Sequence, residues 1–211
     1  MLDEKLVNGL FKLNLGCGRS NIPGYVNIDR TLLPSVDKVF NLEMCSPQYP
    51  LPFPDNSVGE IIGVHFLEHI MNPLPLMQEL HRVTVCGGKA KFTVPHGASD
   101  TAFEDPTHVR FYFPSSFGYF SQPFYWRADY GYRGDWQPKH ITLKMPEQLC
   151  QKGTDIAFTI SCQARNAVEE MVCELECIKP IREPKRELQV PPSIRIQPVR
   201  HVLGPLIEIK M

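Results

Sequence analysis

The feature that most constrains the fold of this chain is a short apolar strand that ends on two closely spaced glycines. Residues 11–15 alternate apolar side chains and are followed by Gly16-Cys17-Gly18, which predicts a strand feeding a tight turn. Glycines at such a turn let a ligand approach the backbone closely, because no Cβ atom stands in the way. The turn therefore indicates a ligand at the carboxyl edge of a parallel sheet, although the same residues alone also suit a simple structural turn.

The elements that follow predict an α/β fold. Apolar runs indicate four further strands, and apolar residues at helical spacing indicate one helix, which Gly87-Gly88 is expected to end. Elements in this order predict a Rossmann-like, twisted, mostly parallel sheet with helices on both faces. The predicted strands are residues 25–29, 36–42, 58–64 and 89–94, and the predicted helix is residues 73–83.

The second half of the chain is less regular. Residues 156–162 and 168–178 alternate again, which predicts an antiparallel hairpin and hence a terminal antiparallel strand. Before this hairpin, 13 of the 21 aromatic residues lie between Phe103 and Trp136, which indicates an insertion. The predicted organisation is a Rossmann-like domain over residues 1–179, an aromatic-rich insertion within it at about 99–140, and a C-terminal extension over 180–211.

Composition and charge narrow the class of protein. The 211 residues carry a formal net charge of −1, which argues against a dedicated nucleic-acid binder. No apolar run reaches the roughly 20 residues that a membrane span needs, and the N-terminus lacks the order of a secretory signal. Seven cysteines without a Cys-x-x-Cys pair indicate small buried side chains in a reducing compartment. We therefore expect a cytoplasmic protein without a membrane partner, in which the C-terminal extension could mediate a homodimer.

The second predicted strand ends on Asp29, which suits recognition of a ribose. An acid at this place can accept hydrogen bonds from both ribose hydroxyls. Dinucleotide-binding enzymes place that acid about 20 residues beyond the glycines, whereas ten residues separate Gly18 from Asp29 here. Asn21 also occupies the place of the third glycine of the dinucleotide fingerprint. A nucleoside without a pyrophosphate is therefore the favoured ligand, and a nicotinamide-dependent oxidoreductase is disfavoured.

Four motifs occur in order within about the first 95 residues. They are Leu-Asn-Leu-Gly-Cys-Gly at 13–18, Gly-Tyr-Val-Asn-Ile-Asp at 24–29, Leu-Pro-Phe-Pro-Asp-Asn-Ser at 51–57 and His-Phe-Leu-Glu-His-Ile at 65–70. Together they resemble the class I S-adenosylmethionine-dependent methyltransferases, and more narrowly the type 11 group. The resemblance implies methyl transfer from S-adenosylmethionine to an oxygen or nitrogen of a small-molecule acceptor, which could be sugar-like.

The same resemblance assigns the cofactor residues. Gly16 and Gly18 are expected to flank the methionine part of S-adenosylmethionine, and Asp29 to hold its ribose. The loop after the third strand is expected to meet the adenine. The predicted cofactor-binding residues are Leu15, Gly16, Cys17, Gly18, Asp29, Arg30, Asn41, Leu42 and His65.

Three departures from the family pattern leave an alternative open. Asn41 stands where the family usually has an acid after the third strand, and Gly59 stands where an acid is often found in the fourth. The connection from Cys17 to Gly24 is too short for a full crossover helix, which predicts that the first helix is reduced to about a turn. The alternative function is therefore a non-catalytic S-adenosylmethionine-binding or interaction protein.

His65, Glu68 and His69 have a spacing that allows a metal site. If the fourth strand ends by His65, the three side chains share one helix face, and two imidazoles with a carboxylate can bind a divalent metal. A subset of related methyltransferases uses a Glu-x-x-Glu-His arrangement in this way, and His65 stands where the first Glu would be. The favoured expectation is nevertheless that Glu68 and His69 are structural and that no metal is bound.

A second candidate cluster follows the fifth strand, where the acceptor pocket lies in this fold. Asp105 or His108 could remove a proton from an acceptor hydroxyl, and Arg110 could hold an acidic group of the acceptor, with His96 nearby. The same residues also suit a capped turn. Most neighbouring aromatic residues are expected to form a minor core, with a few left to line the pocket. The predicted catalytic residues are His108 and Asp105.

Overall fold

The computed structural model describes residues 9–151 and 153–200, and a single eight-stranded sheet forms the centre of this part of the chain. The strands are β1 (Phe11–Leu15), β2 (Val26–Asp29), β3 (Lys38–Val39), β4 (Val58–Val64), β5 (Thr84–Pro95), β6 (Trp136–Pro146), β7 (Glu170–Cys177) and β8 (Ser193–Val199). Their order across the sheet is β3-β2-β1-β4-β5-β7-β6-β8. The first five strands are parallel, whereas β7 runs antiparallel to both β5 and β6. The predicted Rossmann-like, mostly parallel sheet with an antiparallel strand is confirmed.

Helices and short 3-10 turns connect these strands. The first helix has the bounds that the sequence predicts, since Leu76, Leu80 and Val83 lie at helical spacing and are buried. Pro73 suits its first turn, where a missing amide donor costs nothing. The α-helices among the described residues are α1 (Pro73–Val83), α2 (Thr101–Glu104), α3 (Glu147–Cys150) and α4 (Thr154–Gln163).

The glycine pair that was predicted to end α1 does not do so. The helix ends at Val83, and the next residue, Thr84, caps it: its amide and hydroxyl both donate to the carbonyl oxygen of Leu80, the hydroxyl at 2.6 Å. Gly87 and Gly88 instead lie inside β5, where the register against β4 shifts and Gly87 takes a φ of +77°. The two glycines therefore allow the irregular backbone at the register shift of β5. As a result, β5 starts five residues before the predicted Lys89.

The third strand is shorter than its predicted bounds of residues 36–42. Only two residues pair with β2, because the chain turns at Val36, whose amide donates to the carbonyl of Leu33. At the other end, the side chain of Asn41 accepts a hydrogen bond from the amide of Glu43 and caps a 3-10 turn at Leu42–Met44.

The predicted hairpin of residues 156–162 and 168–178 is wrong. Its first half lies in α4, where the buried residues Ala157 and Ser161 are one helical turn apart. Its second half is β7, but the partners of β7 are β5 and β6. β6 begins at Trp136, inside the segment that was expected to be an insertion up to about residue 140.

The aromatic segment divides evenly between core and surface. Tyr112, Phe117 and Phe120 are buried, together with Tyr125, Tyr132 and Trp136. Six others are exposed. The thirteenth ring, Phe124, is partly buried against the core. The segment therefore forms a minor core, but with fewer of its rings than the expected majority. The exposed rings belong to Phe103, Phe111, Phe113, Tyr119, Trp126 and Tyr130.

The residues after β7 are attached to the same sheet. The Arg182 guanidinium donates to both carboxylate oxygens of the fully buried Asp135, through Nε and an Nη atom at 2.8 Å each. Further along, β8 pairs in parallel with β6 from Ser193 to Val199. Among the described residues, no helix is long and apolar enough to cross a membrane.

Candidate functional site

The carboxyl ends of β1 and β2 meet at a polar turn. Gly16 and Gly18 both have a left-handed backbone, with φ of +59° and +50°. The amide of Gly18 donates to Oδ2 of Asp29 at 2.9 Å, and the amide of Thr31 donates to Oδ1 of Asp29 at 2.9 Å. One carboxylate thus ties the glycine turn to the end of β2, and the structure brings together these residues of the predicted cofactor set.

The two glycines face different surroundings. A Cβ atom on Gly16 would lie 2.3 Å from Cδ2 of Phe66, so Gly16 is needed for the packing of that ring. A Cβ atom on Gly18 would meet nothing within 4 Å. Gly18 therefore borders open space at the edge of the sheet, where a ligand can approach its backbone.

Buried side-chain hydrogen bonds replace the missing first crossover helix. The connection between Gly18 and Tyr25, where the sequence predicts a helix reduced to about one turn, contains only turns and no helix. Instead, Oδ1 of the fully buried Asn27 accepts hydrogen bonds from Nδ2 of Asn14 and from the amide of Ile22, both at 2.9 Å. Its Nδ2 donates to Oδ2 of Asp37 at 2.8 Å. This network holds the short connection in place without a helix.

The other predicted cofactor residues surround this turn. Leu15 and Leu42 are buried, so their side chains belong to the core, whereas Arg30 is exposed. The Cys17 thiol is also buried, and burial together with nearby Asp29 raises its pKa to about 11. It is therefore a neutral thiol rather than a reactive thiolate at physiological pH. Asn41 is partly exposed beside its 3-10 turn.

His65 lies directly after β4 in a left-handed conformation, with φ of +48°. Its Nε2 is 3.0 Å from Oε2 of Glu170, and its Nδ1 is 3.3 Å from Oε1 of Glu68. These two carboxylates, Glu170 first, raise the pKa of His65 to about 9. Hydrogen bonds from His65 and Lys144 lower the pKa of Glu170 to about 2. His65 therefore carries a positive charge at neutral pH.

Glu170 was missed by the sequence analysis. It is the first residue of β7, and it reaches His65 because β7 pairs with β5 while β5 pairs with β4. No local pattern connects residues so far apart in the chain, so only the strand order could have revealed this pair.

His65, Glu68 and His69, whose spacing allows a metal site although none is expected, are not the group whose potential ligand atoms come together. Glu68 and His69 lie with His108, and one potential ligand atom from each lies within 4.8 Å of the other two. His65 instead uses both ring nitrogens on carboxylates. The rings of His69 and His108 stand edge to face, 4.8 Å between centroids.

The acceptor-side residues occupy mixed environments. The Asp105 carboxylate is exposed and accepts hydrogen bonds from the amide and hydroxyl of Thr107, which lower its pKa. The side chain of His108 is only 9% exposed. Arg110 donates through Nε to the carbonyl of Met71 at 2.7 Å, so it anchors a loop. His96 is buried, and burial lowers its pKa.

A cavity of about 1040 Å³ opens beyond the carboxyl end of β5. His96, Gly97 and Ala98 line it directly after that strand, and the aromatic segment and α4 supply further walls. The adjacent strand β4 ends at His65, whose amide donates to the carbonyl of Thr93 in β5 at 2.9 Å. The cavity and the glycine turn therefore share one edge of the sheet. Its ring and charged lining residues include Phe103, Phe113, Phe124, Phe158 and Arg165.

The fold is shared with solved structures of distant sequence. A SAM-dependent methyltransferase from Archaeoglobus fulgidus is 14% identical, with a TM-score of 0.51 over 80% of this chain and 86% of that one. The YcgJ protein of Bacillus subtilis is also 14% identical, with a TM-score of 0.50 over 85% of this chain and 97% of that one. At such identities the likeness concerns the fold alone.

The sequence itself carries a family match. No curated protein matches the chain. Residues 13–92, however, match the family model described as a methyltransferase domain of type 11. This match spans the glycine turn, Asp29, β4 and the Glu68–His69 turn, and it agrees with the sheet order described above. Over residues 13–92 the chain is therefore similar to the methyltransferase domain of the type 11 group, the S-adenosylmethionine-dependent family that its motifs resemble.

Proposed function

We propose that this enzyme transfers the methyl group of S-adenosylmethionine to an oxygen or nitrogen atom of a small, ring-containing acceptor. The observation that carries the proposal is the cavity beyond β5, at the same sheet edge as the glycine turn. Ligands of open α/β sheets bind outside the carboxyl ends of the strands, so cofactor and acceptor can meet there. The volume of about 1040 Å³ suits a small molecule rather than a polymer.

The cofactor is proposed to lie over the glycine turn. Asp29 accepts hydrogen bonds from the ribose hydroxyls. Its carboxylate oxygens have lone pairs left for this after accepting from the amides of Gly18 and Thr31. Gly18 leaves room for the methionine part, and the polar side chain of Asn41 faces the adenine. The exposed positive charge of His65 suits the cofactor carboxylate. The other proposed members of the site are Leu15, Gly16, Cys17, Arg30 and Leu42.

The acceptor is proposed to stack on aromatic side chains. Phe103, Phe113 and Phe124 line the cavity from the aromatic segment. An aromatic ring or the apolar face of a sugar packs well on such surfaces. Among the polar lining groups, Ser115 and Arg165 can orient one substituent of the acceptor.

The chain contributes mainly alignment to the reaction. Methyl transfer from a sulfonium is an in-line displacement with a good leaving group, so positioning and exclusion of water account for much of the acceleration. His108 or Asp105 as a general base, worth about 10²–10⁴-fold, stays a prediction. Three other expectations from the sequence also stay predictions: a domain boundary at residue 179, a homodimer through residues 180–211, and a cytoplasmic location.

The experiment combines cofactor binding with an acceptor panel. S-adenosylmethionine carrying a deuterated methyl group is incubated with the enzyme and phenols, sugars or cyclic amines, and products are identified by mass spectrometry. Phe113→Ala is expected to raise the KM of the methylated acceptor at least several-fold while cofactor affinity by calorimetry stays unchanged. Tyr130→Ala, at a ring that is 75% exposed and outside this cavity, is the matched control. An unchanged KM for Phe113→Ala, or transfer only to RNA or protein, would contradict the proposed acceptor site.

A further inference from the structure

We propose that Glu68, His69 and His108 form a binding site for a divalent transition-metal ion, with Zn²⁺ or Mn²⁺ as the expected occupant. The first observation is an orphaned atom: Oε2 of Glu68 is buried and has no hydrogen-bond partner, and the side chain is only 2% exposed. A buried carboxylate oxygen without a partner is strongly unfavourable, because it has lost its hydration without gaining a hydrogen bond. The second observation is that two imidazoles stand beside it.

The hydrogen bonds of the two histidines define which nitrogen is free. Nδ1 of His108 is 3.1 Å from the carbonyl oxygen of Ala102, and Nδ1 of His69 is 3.2 Å from the carbonyl oxygen of Thr107. A carbonyl oxygen only accepts, so both Nδ1 atoms carry the proton when the rings are neutral. Each Nε2 atom is then left with a lone pair, which is the form of imidazole that binds a metal.

Further hydrogen bonds hold the His69 ring with its proton on Nδ1 and its lone pair on Nε2. The Thr107 hydroxyl donates to Oδ1 of Asp105 at 2.6 Å, so its oxygen can accept from Nδ1 of His69 at 3.0 Å. A carboxylate that orients a ligand histidine through its other nitrogen is a recurring feature of metal sites. Asp105 therefore acts on this cluster through Thr107.

The two oxygens of Glu68 have different surroundings. Oε1 lies 3.3 Å from Nδ1 of His65 and 4.0 Å from Nε2 of His108. Oε2 has no partner in the protein and is the oxygen that remains for a cation. Both ring nitrogens of His65 face carboxylates, so neither is available for a metal ion. The proposed ligands are therefore Glu68 and His69, as the sequence spacing allows, with His108 in the place of His65.

The donor set favours some ions over others. Two imidazole nitrogens and one carboxylate suit Zn²⁺, Mn²⁺ or Fe²⁺, whereas Mg²⁺ and Ca²⁺ prefer oxygen ligands. Ligand atoms about 2.0–2.2 Å from a tetrahedral metal lie roughly 3.4 Å apart, so side chains whose ligand atoms are now within 4.8 Å of one another would have to move inward by about 1 Å. His69 lies closest to solvent and can supply this movement. Three protein ligands leave further positions open.

The site lies just beyond the carboxyl end of β4, at the Leu67–His69 turn. A metal-bound His108 has no lone pair left for proton removal. The proposal would therefore replace the general-base prediction for His108. It does not depend on the acceptor class, because metal binding is measured without turnover.

The test is a metal titration of the whole chain, stripped with EDTA and dialysed. Calorimetry with ZnCl₂ and with MnCl₂ is expected to show one ion per chain, with a rise in Tm. His69→Ala and His108→Ala should each lower the affinity at least 10-fold, and Glu68→Gln should do the same. Thr107→Val should lower it less, since it removes only the orientation of His69. His140→Ala, at a histidine of β6 bonded to Ser193, is the matched control.

Several outcomes would overturn the proposal. The first is that the wild-type protein binds neither Zn²⁺ nor Mn²⁺. The second is that metal affinity is unchanged in both His69→Ala and His108→Ala. The third is that His140→Ala lowers metal affinity as much as these variants do. Circular dichroism and the Tm of the metal-free protein are used to check that each variant is folded. If Glu68→Gln does not fold, His69→Ala decides, because His69 is the most exposed member of the cluster. Absence of methyl transfer with intact metal binding would count against the proposed function and leave the metal site standing.

Discussion

Asp29 accepts a hydrogen bond from the backbone amide of Gly18, so the acid at the end of β2 supports the glycine turn at the end of β1. The carboxylate therefore has two tasks in the proposed site. It holds the turn open toward the ligand, and it presents its remaining lone pairs to the ribose.

Asp29→Ala is accordingly expected to lower S-adenosylmethionine affinity by at least about 10-fold, since a hydrogen bond to a charged group is worth about 1.5–3 kcal/mol. Isothermal titration calorimetry measures the loss. Asp129→Ala is a suitable control, because Asp129 makes the same kind of bond to an amide two residues on, that of Gly131, on an exposed loop. Equal affinity in folded Asp29→Ala and wild-type protein would remove Asp29 from the ribose site.

Gly18→Asn tests whether the cofactor approaches the glycine turn. Asparagine tolerates the left-handed backbone at Gly18 better than most residues, and its side chain would enter open space rather than protein. The fold should therefore survive while cofactor binding is lost. Gly24→Asn is the matched control, with a φ of +80°, no neighbour within 4 Å and an exposed position away from the turn. Equal binding by both variants would mean that the cofactor lies elsewhere.

Asn27→Ala should destabilise the protein by about 2–5 kcal/mol. The substitution removes the hydrogen bonds that the buried Asn27 side chain makes to the amide of Ile22, to Nδ2 of Asn14 and to Oδ2 of Asp37. Urea denaturation measures the change in the free energy of unfolding. Asn21→Ala, at an exposed asparagine of the same loop, should change it by less than about 1 kcal/mol. A similar small effect of Asn27→Ala would contradict the idea that this network replaces a crossover helix.

Arg182→Gln should cost about 3–5 kcal/mol of stability, because it leaves the carboxylate of Asp135 buried without its charge partner. Chemical denaturation of this variant is compared with Arg195→Gln, at an exposed arginine of β8. If the two variants are equally stable, the segment after β7 is not held by this ion pair.

The pH dependence of stability should include a contribution from His81. Burial lowers the pKa of His81, which donates through Nε2 to the carbonyl of Ile178 at 2.9 Å. The unfolded chain takes up a proton below about pH 6.5, while the folded state resists it. The contribution of neutral His81 to the free energy of unfolding is therefore present above about pH 6.5. It is lost as the pH falls below that value, by up to about 1.4 kcal/mol per pH unit.

His81→Gln should accordingly flatten the fall of Tm between pH 7.5 and pH 5.5. Some fall of Tm with decreasing pH should remain in this variant, because burial also lowers the pKa of His96. His140→Gln, at a histidine bonded to a surface serine, should leave the slope as it is. A slope that is the same in wild type and His81→Gln would show that His81 does not titrate between the two states.

Regular elements with a strict period could be predicted from the sequence. β1, β4 and α1 have their predicted bounds, because alternation and helical spacing are local properties of the chain. The glycine turn and Asp29 were brought together for the same reason, since consecutive parallel strands end at one edge. α4 was misread because Ile156, Phe158 and Ile160 also fit a strand, and its buried pair Ala157 and Ser161 is barely apolar.

Residues that meet through long-range pairing were harder to predict. β6 was missed although Ile141, Leu143 and Met145 alternate and are buried, because prolines and polar residues precede them. Glu170 reaches His65 only through the antiparallel insertion of β7 between β5 and β6. His108 joins Glu68 because the amides of Val109 and Arg110 both donate to the carbonyl of Glu68, which no sequence period announces.

The pairing of β8 with β6 has a consequence for self-association. β6 is eleven residues long, and without β8 its outer edge would present unpaired amides and carbonyls beside apolar side chains. Such an edge is a template for strand addition by another chain. β8 covers seven of its residues, from His140 to Pro146, and is itself a poor template, since Pro198 has no amide donor and Arg195 is charged. β8 thus keeps the sheet from extending into a neighbouring molecule, and removal of residues 193–199 should promote aggregation through the uncovered edge of β6.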